Sequence, residues 1–224
     1  MHNIFSGKRA ILLDFDGTLG DTFSLHEAAF IKALEPYGLS FAYKDYIGQS
    51  TGEVFERLFR KAGREVPKEE LEVLIRTKRQ AANDLYSTHL RFMDGAEAFV
   101  HRAHELGYLL SIGSSGSRRN ILAGIEGLGL TPYISHVITA DDVTYGKPHP
   151  EIFAALLERA GLRAEDAIVV EDAPSGIEAA LAAGIEVVCV DNEWNDSNYA
   201  VHPSVHFATF AQLLEELIPP VLKQ

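Results

Sequence analysis

The sequence predicts an α/β fold: a doubly wound parallel sheet with an all-helical segment inserted near its start. Three features of the 224-residue chain predict it. Short apolar runs without polar alternation recur along it, as in strands covered on both faces. Amphipathic stretches at helical spacing separate most of those runs. The rhythm then fails between Phe23 and His89, where one helical pattern follows another with no convincing strand.

Taken in order, Ala10–Leu13 is the first strand candidate. A helical pattern over Ala96–Leu106 leads into the strand candidate Tyr108–Gly113. Arg118–Gly127 reads as helix and His136–Thr139 as strand. Pro150–Ala160, with Ile152, Leu156 and Ala160 on one face, is an amphipathic helix before the strand Ala167–Val170. Ser175–Ala183 is the next helix and Ile185–Val190 the last strand. In the interrupting region, LHEAAFIKAL, TGEVFERLFRKAG and KEELEVLIRTKRQAANDLY carry apolar residues three and four apart, punctuated by Pro36, Gly38, Gly63 and Pro67. We read residues 21–91 as a helical cap and residues 1–20 with 92–224 as the α/β core. The hinges fall near Leu19–Thr22 and Leu90–Asp94.

Composition narrows the functions. With 20 Lys and Arg against 32 Asp and Glu, the formal net charge is −12, which argues against non-specific nucleic-acid binding. A small anion remains acceptable, because one cation can reverse the field inside a pocket. The single cysteine, Cys189, lies in an apolar run and reads as a buried strand residue. MHNIFSGKRA has no apolar stretch long enough for a signal peptide, and no segment is long and apolar enough to span a bilayer. The expectation is a cytoplasmic protein without a membrane partner.

Chemistry is expected at the carboxyl ends of the strands, where parallel sheets bind ligands. Asp14 and Asp16 follow the first strand. Ser114, Ser115 and Gly116 follow the second. Lys147 lies in the loop after the third, and Glu171 and Asp172 follow the fourth. One acid after a strand is commonly a cap or a solvated turn. Four polar sites at one edge are harder to assign to caps. Four clustered carboxylates need a positive partner, and a hard cation held by oxygens, Mg²⁺ in particular, suits them. Lys147 adds a fixed ammonium, while Ser114 and the N–H groups near Gly116 suit a phosphate. Together these groups describe phosphoryl chemistry.

DFDGTL (Asp14–Leu19), the Ser114 step, GKPHPEIF (Gly146–Phe153) and VVEDAPSGIEAALAAG (Val169–Gly184) resemble, in order, the four motifs of the haloacid-dehalogenase-like (HAD) hydrolases. The cap position resembles the subgroup holding phosphoglycolate phosphatases, sugar-phosphate phosphatases and β-phosphoglucomutase. The resemblance implies a Rossmann-like core and a phosphomonoesterase acting on a small phosphorylated metabolite. Asp14 would be the nucleophile, forming an aspartyl-phosphate, and Asp16 the general acid–base. Mg²⁺ would be held by Asp14, the Asp16 carbonyl, Asp172 and, directly or through water, Glu171. Lys147 would neutralise phosphoryl oxygens, Ser114 would bind one, and Gly17 would let the chain turn beside the phosphate. Asp16 speaks against a dehalogenase, since a halide leaving group needs no proton.

The cap is expected to choose the substrate. DTFSLH (Asp21–His26) resembles the hinge and first cap helix of sugar-phosphate members, which makes His26 a candidate substrate residue. A histidine on a helix surface is an equal alternative. IGQSTGE (Ile47–Glu53) resembles the cap loop that in β-phosphoglucomutase carries an arginine for a second phosphate. Aligned on Gly48 and Ser50, that position is Thr51, which favours hydrolysis over a mutase. A phosphoglucomutase-like transferase, an inorganic pyrophosphatase and a non-catalytic phosphate- or Mg²⁺-binding regulator stand as rivals. Either a monomer or a homodimer fits. Arg118 and Arg119 read as exposed helix residues, His149 as a helix-start residue and Trp194 as a packed loop residue.

Overall fold

The computed structural model describes residues 3–46, 49–190 and 206–217. The chain divides into two compact units, Met1–Asp21 with Arg91–Gln224, and Thr22–Leu90.

The larger unit is built on a parallel six-stranded sheet: β1 (Ala10–Leu13), β2 (Leu109–Gly113), β3 (Ile134–Ile138), β4 (Ala167–Glu171), β5 (Glu186–Val190) and β6 (His206–Ala208). The strand order is β3-β2-β1-β4-β5-β6. Every residue of β1 is buried, as an unbroken apolar run in a central parallel strand requires. Leu12 pairs with Ser111 on one side and Val169 on the other. The chain moves outward from β1 to β2 and β3, then returns to lay β4 on the opposite side of β1. That reversal puts the switch point, the usual ligand crevice, beyond the carboxyl ends of β1 and β4.

The covering helices are α4 (Ala96–Glu105), α5 (Arg118–Gly127), α6 (Glu151–Ala160), α7 (Pro174–Ala182) and α8 (Phe210–Glu216). Leu12, Val169, Ile152, Phe153, Leu156 and Ile177 share one buried cluster. Phe99 of α4 packs against Phe5 and Phe210, with ring centroids 6.1 and 5.3 Å away. Helix α6 stops at Gly161, whose φ of 63° is the left-handed C-cap conformation that glycine adopts without a Cβ penalty.

Most core element ends lie within one residue of the sequence reading; two departures are larger. Strand β3 begins at Ile134 and ends at Ile138 rather than running from His136 to Thr139. Thr139 instead caps the following 3₁₀ turn, its N–H and hydroxyl both donating to Asp142. The short β6 and α8 were not anticipated. Trp194 and Gly48 lie outside the described residues.

The smaller unit contains α1 (Thr22–Leu34), α2 (Thr51–Lys61) and α3 (Lys68–Thr88), and no strand among the described residues. Phe30, Leu34, Phe55, Leu58, Phe59 and Leu74 form its core. Ala29 on α1 and Ala81 and Ala82 on α3 form a second buried cluster of small side chains, which permits close approach of the two backbones. The segments leaving and re-entering the larger unit pair with each other: Asp21 N–H donates to Arg91 O and Met93 N–H to Leu19 O, both at 2.9 Å.

Candidate active site

The site is built outward from the end of β1. Asp14 follows the strand directly, and its N–H donates to Val170 O, continuing the ladder to β4 by one residue. Its backbone is therefore fixed at the end of a central strand. Glu171, at the end of β4, and Asp172 come from the adjacent strand. One oxygen from each of Asp14, Glu171 and Asp172 lies within 4.8 Å of the others, and all three residues are buried.

Among the described residues, Lys147 is the cation in this cluster. Its ammonium lies 2.5 Å from Asp14 Oδ1 and 2.8 Å from Glu171 Oε1, with the side chain only 2% exposed. Burial works against its charge, but the carboxylates of Asp14 and Glu171 outweigh that and hold its pKa above the ordinary lysine value. Asp14 shows the reverse balance. Burial raises its pKa first; Lys147 pulls it down, while Glu171, Asp172 and Asp16 push it up, and the result lies well above 3.8. Among the described residues, one lysine thus leaves this group of three carboxylates under-neutralised. Oxygen donors in excess of the local positive charge are what a hard divalent cation needs, so the residues fit Mg²⁺.

The acids around this centre differ in their partners. Glu171 Oε2 accepts the N–H groups of Asp172 and Ala173 at 2.7 and 2.6 Å, while Oε1 accepts from Lys147. Asp172 Oδ1 accepts the hydroxyl of the fully buried Thr18 at 2.8 Å. Asp16 is half-buried, and its Oδ2 accepts the Ser114 hydroxyl at 3.1 Å. Ser114 Oγ in turn accepts Gly116 N–H at 2.9 Å, so one backbone donor expected for a phosphate is engaged by the serine. A Cβ at Gly116 would lie 3.1 Å from Asp16 Oδ2 and 2.8 Å from the Ile121 side chain, so a larger residue there would crowd Asp16 and displace Ile121. Gly17 turns with φ 86° immediately after Asp16. Ser115 is exposed.

The structure therefore brings together Asp14, Asp16, Ser114, Lys147, Glu171 and Asp172. Arg118 is paired with a carboxylate: its guanidinium donates to both oxygens of Asp142 at 2.9 and 2.8 Å. In the helical unit, Thr51 is the first residue of α2 and Ser50 its N-cap, closed by a reciprocal capping box with Glu53. Ser50 to Glu53 thus open α2. His26 Nδ1 lies 3.1 Å from Lys78 Nζ, which sits 4.8 Å from the Phe30 ring centroid. Burial and the neighbouring Lys78 push His26 down to about 3, so its ring is neutral and accepts at Nδ1. Burial, then Arg79, lowers Lys78 to about 8.

A family profile described as haloacid dehalogenase-like hydrolase matches residues 11–190, most of the chain. The chain belongs to the haloacid dehalogenase-like hydrolases. Among curated relatives of this hydrolase, a phosphorylated carbohydrates phosphatase of Thermotoga maritima is 30% identical over 180 residues, covering 79% of this chain and 82% of its own. A phosphoglycolate phosphatase of Yersinia pestis is 29% identical over 231 residues, covering 98% and 97%. The crystal structure of CbbY from Rhodobacter sphaeroides in complex with phosphate superposes with a TM-score of 0.72 at 22% identity, over 92% of this chain and 96% of that one, and establishes likeness of fold.

Several residues of this haloacid dehalogenase-like hydrolase escaped sequence reasoning. Thr18 lies inside DFDGTL and was legible as a polar group beside the acids. Gly176 is forced by Glu171, whose carboxylate occupies the space a Cβ would need. The pairing of Lys78 with His26 joins residues on different helices and leaves no local signal.

Proposed function

We propose that the chain is a Mg²⁺-dependent phosphomonoester hydrolase acting on a small phosphorylated metabolite of the sugar-phosphate or phosphoglycolate type, through a phosphoryl group carried on Asp14. The observation that supports it best is the setting of Asp14: a buried carboxylate at the switch point, ion-paired to Lys147, beside two further acids. The names of the curated relatives, a phosphorylated carbohydrates phosphatase and a phosphoglycolate phosphatase, point to the same substrate class.

Asp14 attacks phosphorus, the ester P–O bond breaks, and Asp16 gives its proton to the departing alkoxide. Asp16 then takes a proton from water, whose oxygen attacks the phosphoryl group and releases phosphate and free Asp14. Lys147 lies against the nucleophile, where its charge offsets repulsion between Asp14 and the anionic substrate. Ser114, bonded to Asp16, stands where its hydroxyl can turn to a phosphoryl oxygen. Asp14, Asp172 and the Asp16 carbonyl would hold Mg²⁺, with Glu171 beside them. The ion would supply charge neutralisation of the phosphoryl oxygens. Thr18 and Glu171 keep Asp172 and Lys147 in place. Residues 22–90 would serve as the cap that selects the substrate.

A panel of phosphorylated metabolites with Mg²⁺ tests this reading. It should include a hexose 1-phosphate, phosphoglycolate and pyrophosphate. Inorganic phosphate should appear from a monoester, and a chelator should stop its release. Conversion of hexose 1-phosphate to 6-phosphate with a bisphosphate requirement would establish the mutase instead. Phosphate release from pyrophosphate alone would establish the pyrophosphatase.

A further inference from the structure

Lys147 has to bring its ammonium to Asp14 from a segment with no regular structure. Between Val143 and Pro150 the chain is neither helix nor strand, and Thr144, Tyr145, Gly146, Pro148 and His149 are exposed. Such a segment would ordinarily leave its N–H groups to water and its tip loosely placed. Here two successive N–H groups, of Thr144 and Tyr145, donate to the two oxygens of a single carboxylate, Glu151, each at 2.9 Å. The loop closes further through His149 N–H to Gly146 O at 3.0 Å, and Glu151 N–H donates to His149 Nδ1 at 3.3 Å.

Glu151 is the first residue of α6, and α6 is firmly seated: Ile152, Phe153 and Leu156 have no exposed surface. The helix also meets the other end of the lysine, because the Lys147 ammonium lies 5.0 Å from the Phe153 ring centroid. One turn of α6 thus holds the loop backbone through Glu151 and the ammonium through Phe153. An acid in a first helical turn is usually explained by the helix dipole. That explanation leaves its oxygens to solvent and does not account for a carboxylate that grips residues six and seven positions earlier.

We propose that Glu151 is the positioning residue for Lys147: it fixes the 143–150 loop so that the ammonium meets Asp14 and Glu171. The proposal rests on the phosphatase reading for its kinetic consequence but not for its structural one.

The test is a double-mutant cycle of Glu151→Gln with Lys147→Met, read as kcat and KM for p-nitrophenyl phosphate in saturating Mg²⁺. Amide hydrogen exchange of residues 143–150 is measured alongside. The glutamine keeps one acceptor and replaces the other by a donor, so one loop bond must be lost. Misplacing a catalytic group by about 1 Å costs on the order of 10²-fold in rate. Glu151→Gln should therefore lower kcat by about that factor with KM little changed. It should also speed exchange at Thr144 and Tyr145 while α6 stays protected. In the Lys147→Met background the same change should have an effect of about twofold or less, because its target is already gone. Equal losses in both backgrounds, or unchanged kcat and exchange in Glu151→Gln, overturn the proposal. If Glu151→Gln does not fold, Glu151→Asp, with both acceptors on a shorter stem, enters the same cycle. If the wild-type protein releases no phosphate from any monoester, the phosphatase reading fails, and the exchange measurement still decides the role of Glu151.

Discussion

Gly176→Ala should destabilise the protein, although replacing a glycine inside a helix by alanine ordinarily stabilises it by about 1 kcal/mol. Gly176 lies within α7 (Pro174–Ala182), where ordinary helical backbone gives alanine no conformational penalty. The obstacle is the Glu171 carboxylate, which fills the position of the new Cβ. To make room, Glu171 must move away from Asp172 N–H, Ala173 N–H and Lys147, to which it is bonded at 2.7, 2.6 and 2.8 Å. Hydrogen bonds to a charged group contribute about 1.5–3 kcal/mol each, so losing two of these three, with the third re-formed, costs about 3–6 kcal/mol. Subtracting the helix gain leaves a net loss of about 2–5 kcal/mol. For a domain of this size each kcal/mol lowers Tm by about 2–4 °C, giving a fall of about 4–20 °C. Thermal unfolding followed by circular dichroism measures it, with p-nitrophenyl phosphate turnover as the parallel reading. In a Glu171→Ala background the sign should reverse, because the colliding carboxylate is absent. Gly176→Ala as stable as wild type, or equally destabilising in both backgrounds, refutes the reasoning.

Three further outcomes follow from the same geometry. The Ser111 hydroxyl is fully buried without a hydrogen-bond partner among the described residues, on the face of β2 that Gly113 turns toward Ile152 and Leu156; Ser111→Ala should raise stability by about 1 kcal/mol, read as a Tm increase of about 2–4 °C. With Asp14 raised above 3.8, the metal-free folded protein binds more protons than the unfolded chain between that value and the raised one, so this group's stabilisation is full at low pH and is lost as pH climbs through the window. Unfolding in chelator should show that loss, and Asp14→Asn should remove it; a slope unchanged by the substitution contradicts the assignment. Asp16→Asn should slow hydrolysis of alkyl phosphates far more than of p-nitrophenyl phosphate, whose leaving group needs little protonation, and equal slowing would count against Asp16 as the acid.

Much of this was legible in the sequence because apolar runs mark fully covered strands. Ala10–Leu13 and Arg118–Gly127 keep their boundaries, since a buried run and an amphipathic helix each carry their own period. The polar residues that end β1, β2 and β4 were readable for the same reason: they break an apolar run at one sheet edge. His206–Ala208 was not, because three residues are too few to show a period, and its support comes from pairing with Val188–Val190. Glu151 and Lys78 were missed for a different cause. An acid at a helix start and a lysine in an amphipathic helix look ordinary, and only tertiary structure shows one bonded to a loop and the other buried beside His26.

The most direct measurement is a rapid acid quench of the enzyme during turnover with Mg²⁺ and a monoester substrate, followed by peptide mass spectrometry of the segment containing Asp14. A phosphoryl group on Asp14 should form within the first turnover and decay as substrate is exhausted, and Asp14→Asn should show neither the adduct nor phosphate release. Continued phosphate release by Asp14→Asn, or turnover by wild type with no phosphoryl group on Asp14 at any time, would contradict it.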